Sequence, residues 1–237
     1  MSERADGRRA DELRPVHITR GYTEMTPGSV LIEMGKTRVL CTAAIEPSVP
    51  RWLKDTGKGW VTAEYNMLPG SSRERISRTS LNGGRTKEIQ RLIGRSLRAV
   101  VDLEKLGEVA VRVDCDVLQA DGGTRTASIT GSWIALHDAL AAGRQSGLID
   151  ADPLLDHCGA VSVGVREGEV LLDLDYPEDV SVDVDFNVVM TGSGRLIEVQ
   201  GTAEHAPFTR EDLNGLVDAA AAGITELVER QRQAVSG

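Results

Sequence analysis

Apolar and polar residues alternate along much of the chain, which is the pattern of half-buried β-strands. The clearest case is the run 181–188, in which Val182, Val184, Phe186 and Val188 alternate with polar residues. The same criterion predicts strands at 28–34, 37–45, 59–66, 108–117, 159–165, 169–175, 180–190 and 195–200. Short turns that contain glycine join several of these strands.

Three other stretches have apolar residues at helical spacing, and they cover residues 86–104, 125–145 and 210–233. In the first two stretches the apolar residues predicted to face inward are Ile89, Leu92, Ile93, Leu97 and Val100, then Ile129, Trp133, Leu136 and Leu140. Strands and helices are intermixed, and the sequence contains no internal repeat and no clear linker. It therefore predicts a mixed α/β (α+β) fold in one domain spanning residues 1–237.

Composition narrows the class of protein. The chain has 237 residues, 41% of them hydrophobic, and no long apolar run. We therefore expect a soluble protein with a sizeable core and no membrane partner. The residues up to Arg20 are polar and do not resemble a secretory signal, which favours the cytoplasm. Cys41, Cys115 and Cys158 lie in apolar surroundings without zinc-site spacing, so we expect buried, reduced thiols.

Charge is distributed unevenly along the chain. The net charge is −9, but residues 51–98 hold eleven Lys/Arg against four Asp/Glu, and residues 151–237 hold five against seventeen. A basic region suits the backbone of a polyanion, whereas an acidic region suits a divalent cation. The alternative is two solvated surfaces of opposite charge.

Two glycine–arginine junctions precede predicted helices. Gly122-Gly123-Thr124-Arg125 follows one strand, and Gly83-Gly84-Arg85-Thr86 precedes the helix at 86–104. Glycines let backbone N–H groups approach a ligand at the positive end of a helix, and arginine matches phosphate with two parallel donors. The two junctions could hold one phosphate between them, the alternative for each being a tight turn with a threonine cap. Neither is a Walker loop or a dinucleotide-binding fingerprint.

Further arginines lie near the second junction. Arg73, Arg75 and Arg78 occupy a loop too polar to be core, which either contacts a polyanion or is solvated. On the first predicted helix, one face carries Arg91, Arg95 and Arg98, which we expect to be solvated or to contact another subunit.

A third feature is the acidic segment 173–187. Asp183 and Asp185 share one side of the predicted strand, and Asp179 could reach that side across the turn. Crowded carboxylates repel unless a cation lies among them, and Mg²⁺ needs only one or two carboxylates with waters and phosphate oxygens. An acidic strand edge that discourages aggregation is the alternative. Together, the phosphate-binding junctions and the carboxylates predict phosphoryl transfer.

These segments resemble the ribonuclease PH family nearly from end to end. The similar motifs are Asp6-Gly7-Arg8, Glu12-Leu13-Arg14-Pro15, Gly59–Tyr65, Glu88–Arg95, Gln119–Gly131 and Val199–Thr202. The stretch Gln119–Gly131 is the most specific of them, and it is shared more loosely with polynucleotide phosphorylase and exosome ring subunits.

The resemblance implies a phosphate-dependent 3′-to-5′ exoribonuclease. On the matching positions, Arg85, Gly123, Thr124 and Arg125 bind inorganic phosphate, and Asp179 and Asp185 are the catalytic aspartates that hold Mg²⁺ or another divalent cation. The expected partners are the 3′ ends of tRNA precursors and other structured RNA, contacted by the arginines of the 73–78 loop.

The same resemblance implies the fold of the second domain of ribosomal protein S5 and a homohexameric ring, a trimer of dimers. Two other functions stay open at this point. One is a catalytically silent, RNA-binding subunit of an exosome-like ring, against which the presence of both arginines and both aspartates argues. The other is a hydrolytic two-metal nuclease, for which two phosphate-binding arginines are unnecessary.

Overall fold

A computed structural model of the chain describes residues 4–78, 83–204 and 207–237. These residues contain nine strands and five helices. The strands are β1 (Val16–Arg20), β2 (Gly28–Met34), β3 (Thr37–Glu46), β4 (Trp60–Met67), β5 (Ala110–Gln119), β6 (Cys158–Arg166), β7 (Glu169–Leu172), β8 (Val184–Thr191) and β9 (Leu196–Ala203). The helices are α1 (Gly84–Arg98), α2 (Leu103–Leu106), α3 (Thr124–Gln145), α4 (Tyr176–Asp179) and α5 (Arg210–Ser236). The mixed fold is confirmed, and β1 and α4 add to the predicted elements.

The first sheet has the strand order β1-β2-β3-β5-β4. All neighbours are antiparallel except β4 and β5, which are parallel. Parallel neighbours need a crossover connection, and the segment that contains α1 and α2 provides it. The end of β5 leads directly into the glycine pair that precedes α3, as predicted.

The second sheet is antiparallel throughout, in the order β7-β6-β8-β9. Its central strand β8 pairs with β6 on one side and with β9 on the other. Asp185 is thereby placed opposite Gly164 and Thr202.

Helix α3 joins the two sheets, because it packs against β2, β3 and β5 of the first and against β6 of the second. The four residues predicted to face inward are buried, but so is every residue from 126 to 136. The prediction of one buried face was therefore too narrow, since a helix packed between two layers is covered on both sides. At Gly131, α3 lies so close to β2 that a Cβ on this glycine would be 2.7 Å from Cγ2 of Ile32.

One large hydrophobic core includes residues of both sheets, such as Val39 and Val163. Cys41, Cys115 and Cys158 are buried free thiols, as predicted. Among the described residues, no helix has the length and apolar character needed to span a membrane.

Two predicted elements end or begin elsewhere. The predicted strand at 180–190 begins only at Val184, because residues 176–179 form α4. The side chains of Asp175 and Glu178 form a capping box, and Pro177 lies in the first turn, where its missing N–H costs nothing. The helix predicted at 86–104 ends at Arg98, and the short helix α2 follows after Asp102 caps it.

Candidate active site

A cleft of about 720 Å³ lies where the glycine pair before α3 meets α4, β8 and the loop that follows β4. Of the nine residues to which the resemblance assigns a role, eight line it: Arg73, Arg75, Arg85, Gly123, Thr124, Arg125, Asp179 and Asp185. Arg78 is exposed and lies outside the residues that line the cleft. The structure thus brings together side chains that are more than a hundred positions apart in the sequence.

The first junction requires glycine for backbone reasons. Gly122 and Gly123 have φ of +77° and +62°, in the left-handed region that side chains disfavour. A Cβ on Gly122 would lie 2.6 Å from the Leu174 carbonyl oxygen, and one on Gly123 would lie 2.8 Å from Nη2 of Arg14. Gly123 is also the N-cap residue of α3, and no side chain caps the helix there. The threonine cap weighed for this junction is therefore not formed, and the helix N-terminus is available to an anion.

A buried arginine that sequence reasoning did not single out holds this junction. Arg14 Nη1 donates a hydrogen bond of 2.6 Å to the Asp121 carbonyl, and Arg14 Nη2 lies 2.6 Å from Oδ1 of Asp173. Thr37 accepts from the Asp121 N–H at 2.9 Å and donates to the Gly122 carbonyl at 2.7 Å. The only signal in the sequence was that Arg14 belongs to a motif shared with the family.

The N-terminal segment fixes α4 in a similar way. Arg4 donates two hydrogen bonds to Glu178, from Nε at 2.7 Å and from Nη2 at 2.6 Å, and both side chains are buried. Arg8 Nη2 lies 3.6 Å from the same carboxylate. Such a two-pronged arginine–carboxylate pair restricts orientation as well as distance. It therefore orients the helix whose last residue is Asp179.

The guanidinium of Arg125 is positioned by two side chains. Its Nη1 donates to Oε1 of Gln200 at 2.9 Å and lies 3.5 Å from Oε1 of Glu88. Gln200 in turn donates to Glu88 at 3.0 Å. The neighbouring Thr124 hydroxyl is 2.9 Å from the hydroxyl of Tyr65. Both side chains at the start of α3 are thus oriented before any ligand binds.

The two aspartates lie in an environment that disfavours their charge. Burial, followed by the nearby charge of Asp179, raises the pKa of Asp185 to about 6, although Arg125 and Arg85 act in the opposite direction. Burial also raises the pKa of Asp179, again against the charges of those arginines. Oδ1 of Asp185 is buried and has no hydrogen-bond partner within the described residues.

These properties fit a divalent cation. An unpartnered, buried carboxylate oxygen beside a second carboxylate is a donor set that a cation would satisfy. Within the part of the chain that the structure describes, no three His, Cys, Asp or Glu side chains form a metal cluster. Two carboxylates suit Mg²⁺ in particular, because it keeps several waters and takes its other ligands from phosphate.

The structure corrects one predicted carboxylate and adds two other residues. Asp183 precedes β8 and does not line the cleft, and its carboxylate accepts the backbone N–H of Glu167 at 3.3 Å. Asn187 and Tyr176 line the cleft, although sequence reasoning missed both. Asn187 follows Asp185 by two positions on a strand, so the alternation that placed Asp185 also contained this signal.

The arginines on α1 are only partly solvated. Arg91 is exposed, but Arg95 pairs with Glu198 at 2.6 Å. Arg98 lies with its guanidinium 4.3 Å from the ring centre of Trp60 and donates to the Val61 carbonyl at 2.7 Å. The expectation of a solvated side chain was therefore wrong for Arg98, because it reaches back onto the first sheet, and the alternative of a subunit contact stays a prediction.

The fold and the cleft define a class of protein that comparison with known families identifies. Residues 12–141 match the model of the 3′ exoribonuclease family, domain 1, and residues 147–223 match that of domain 2. The chain therefore belongs to the 3′ exoribonuclease family. The prediction of one domain over residues 1–237 stays a prediction.

Within that family the similarity is to ribonuclease PH, as the sequence motifs indicated. The chain is 56% identical over 236 residues to a protein named Ribonuclease PH from Corynebacterium kroppenstedtii, covering 98% of this chain and 93% of the relative. It is 57% identical over 235 residues to Ribonuclease PH from Corynebacterium efficiens, with 98% and 96% covered.

Solved structures of lower identity have the same fold. Rice (Oryza sativa) Rrp46 superimposes with a TM-score of 0.81 at 24% identity, covering 99% of this chain and all of that one. An Archaeoglobus fulgidus exosome with RNA bound to the active site gives a TM-score of 0.78 at 23% identity, with 96% and 92% covered.

Proposed function

We propose that the protein is a phosphate-dependent 3′-to-5′ exoribonuclease that trims the 3′ ends of tRNA precursors and other structured RNA in the cytoplasm. In chemical terms it is a nucleotidyltransferase, in the class EC 2.7.7. The observation that carries the proposal is that one cleft brings the uncapped N-terminus of α3 together with Arg85, Arg125, Asp179 and Asp185. Relatives named Ribonuclease PH at 56% and 57% identity support it.

Inorganic phosphate is the nucleophile in this proposal. It binds at the start of α3, where the backbone of Gly123 and Thr124 and the guanidinium of Arg125 offer N–H donors, and Arg85 adds a second positive charge. Arg125 is already oriented by Gln200 and Glu88. Such preorganised donors need no reorientation as negative charge develops, which is the main source of electrostatic catalysis.

The reaction exchanges one phosphorus–oxygen bond for another. An oxygen of hydrogen phosphate attacks the phosphorus of the last phosphodiester, and the bond to the 3′ oxygen of the preceding nucleotide breaks. The terminal nucleotide leaves as a nucleoside diphosphate, and the proton of hydrogen phosphate ends on the new 3′ hydroxyl. Because a phosphoanhydride forms, the step is reversible, and excess nucleoside diphosphate extends the RNA.

Asp179 and Asp185 are the residues that would hold Mg²⁺. When bound there, the ion supplies positive charge to the phosphoryl oxygens around the reacting phosphorus. The two aspartates lie close enough to Arg85 and Arg125 for the positive charges of these arginines to favour the ionised carboxylates.

RNA is the second substrate. Arg73 and Arg75 are exposed and line the cleft, so we assign them to the RNA backbone, with Arg78 further along the same loop. We also propose that the protein assembles as a homohexamer, a trimer of dimers, and the similarity to proteins named Ribonuclease PH supports this proposal.

Phosphate titration with product analysis tests the function. RNA with a labelled 3′-terminal nucleotide should release nucleoside diphosphates at a rate that rises with phosphate concentration and saturates. Nucleoside monophosphates, or a rate independent of phosphate, would indicate a hydrolytic nuclease, and RNA binding without products would indicate a silent ring subunit.

The variant Arg125→Ala separates chemistry from binding. Loss of one preorganised donor to a phosphoryl oxygen costs roughly 100- to 1000-fold in kcat, while RNA affinity should change little. Arg91→Ala is the matched control, because Arg91 is an exposed arginine outside the cleft. Equal turnover in the two variants would refute the role assigned to Arg125.

A further inference from the structure

Tyr176 is the one aromatic side chain among the described residues that line the cleft. It is the first residue of α4, and half of its surface, 50%, is exposed. An exposed aromatic residue is not unusual in itself, because apolar atoms contribute much of any protein surface. What distinguishes Tyr176 is where it lies and how its backbone is held.

The backbone that carries the ring is fixed from two directions. On one side, the capping box of Asp175 and Glu178 and the buried pair between Glu178 and Arg4 hold α4. On the other, the phosphate-binding loop packs so closely that a Cβ on Gly122 would lie 2.9 Å from the backbone nitrogen of Tyr176. The ring is thus an exposed surface on a rigid support.

Its place relative to the reacting groups suits a nucleobase. Asp179 follows three residues later, and side chains at that spacing are neighbours on a helix. Arg73 and Arg75 line the same cleft and provide positive charge for a phosphate backbone. Clefts that bind single-stranded nucleic acid combine such a basic groove with aromatic side chains on which bases stack.

We propose that the Tyr176 ring stacks on a base at the 3′ end of the RNA substrate and so holds the terminal nucleotides against the phosphate site. The inference rests on the proposed function of this cleft. Stacking is tolerant of base identity, because every base has a π-face. A stacking residue would therefore support removal of nucleotides regardless of sequence.

The experiment compares Tyr176→Ala and Tyr176→Phe in the full-length protein on single-stranded RNA oligonucleotides. Loss of a stacked base costs ~1–3 kcal/mol, so Tyr176→Ala should raise the KM for RNA on the order of ten- to a hundredfold. Its kcat at saturating RNA and its KM for phosphate should stay unchanged, and Tyr176→Phe should match the wild type. Tyr22→Ala is the control, because Tyr22 is equally exposed at 48% but lies outside the cleft.

Abasic substrates locate the contact. In a series with one abasic site at each of the last three positions, the difference between wild type and Tyr176→Ala should vanish on one member only. An unchanged KM for RNA, or a loss undiminished on every abasic substrate, would overturn the inference. A fall in kcat with a higher KM for phosphate would also overturn it, because it would mean that the variant displaces Asp179.

Failure of the proposed function gives a different result. In that case the wild type releases no nucleoside diphosphates, whichever residue occupies position 176. RNA affinity measured without phosphate on the same abasic series would still report stacking.

Discussion

The two glycine–arginine junctions look equivalent in the sequence, but the structure builds them differently. In the first, Gly122 and Gly123 adopt left-handed conformations and pack against backbone and buried side chains. In the second, Gly83 is extended, with φ −68° and ψ 151°, and a Cβ on Gly84 would meet no atom of the described residues within 4 Å. Each junction nevertheless delivers one arginine to the same cleft.

The same short glycine–arginine sequence therefore serves two different structural purposes in this protein. The first junction is a preorganised cradle, because Arg14 and Thr37 fix its carbonyls and N–H groups. The second starts a helix and supplies Arg85 from an open position. We therefore expect substitutions to be far more costly in the first junction and in the residues that hold it.

The largest effect should come from the buried pair beneath the first junction. Arg14→Ala leaves the buried carboxylate of Asp173 with only the more distant Arg8, at 3.9 Å, and removal of one member of a buried ion pair costs ~3–5 kcal/mol in the free energy of unfolding. Chemical denaturation measures this. The control Arg38→Ala breaks an exposed pair with Glu33 and should cost no more than ~1 kcal/mol. Equal losses of unfolding free energy in the two variants would contradict the claim that the buried pair holds the first junction.

The glycines themselves allow a matched comparison. Gly122→Ala forces a side chain into a left-handed backbone and against the Leu174 carbonyl, so it should lower the free energy of unfolding by ~1–3 kcal/mol and weaken phosphate binding. Gly84→Ala lies at the start of α1, where the added Cβ meets none of the residues that the structure describes, and it should be neutral or stabilising by up to ~1 kcal/mol. Chemical denaturation and phosphate titration of both variants measure these effects. A larger loss in Gly84→Ala than in Gly122→Ala would contradict the prediction.

The raised pKa of Asp185 predicts how the free energy of unfolding depends on pH. The folded pKa of Asp185, about 6, lies above its ordinary value of 3.8, so the folded state favours the protonated carboxyl. This stabilisation is complete below pH 3.8 and is lost as the pH rises through 6. Relative to metal-free wild type, Asp185→Asn should therefore gain roughly 2–3 kcal/mol in unfolding free energy between pH 4 and pH 7.

The wild type offers a second readout of the same pKa. Protons and Mg²⁺ compete for the Asp185 carboxylate, so affinity for the metal should fall below about pH 6. A difference between wild type and Asp185→Asn that does not vary with pH would contradict this electrostatic description.

The smallest effect concerns the side chain that orients the first arginine. Gln200→Ala removes one hydrogen bond to Arg125, worth ~0.5–1.5 kcal/mol, and should raise the KM for phosphate roughly two- to tenfold. Steady-state kinetics measure this. The control Gln233→Ala removes an exposed glutamine outside the cleft and should leave this KM unchanged. An equal KM for phosphate in the two variants would mean that Gln200 does not position Arg125.

Local patterns predicted the elements and most of the cleft. Alternation placed Asp185, and glycine–arginine junctions before helical spacing placed Arg85 and Arg125. These patterns failed where contacts between residues far apart in the sequence, or the capping of a short helix, determine the local structure. The capping box that starts α4 displaced Asp183 from the predicted strand, and Arg14 became important only because Asp173, far away in the sequence, is its partner.

Isotope tracing shows whether the first junction positions the attacking phosphate. RNA is incubated with inorganic phosphate labelled at phosphorus, and the products are separated. The label should enter the β-phosphate of the released nucleoside diphosphates, and Arg125→Ala should slow this transfer roughly 100- to 1000-fold. Release of nucleoside monophosphates while the label stays in inorganic phosphate would contradict it.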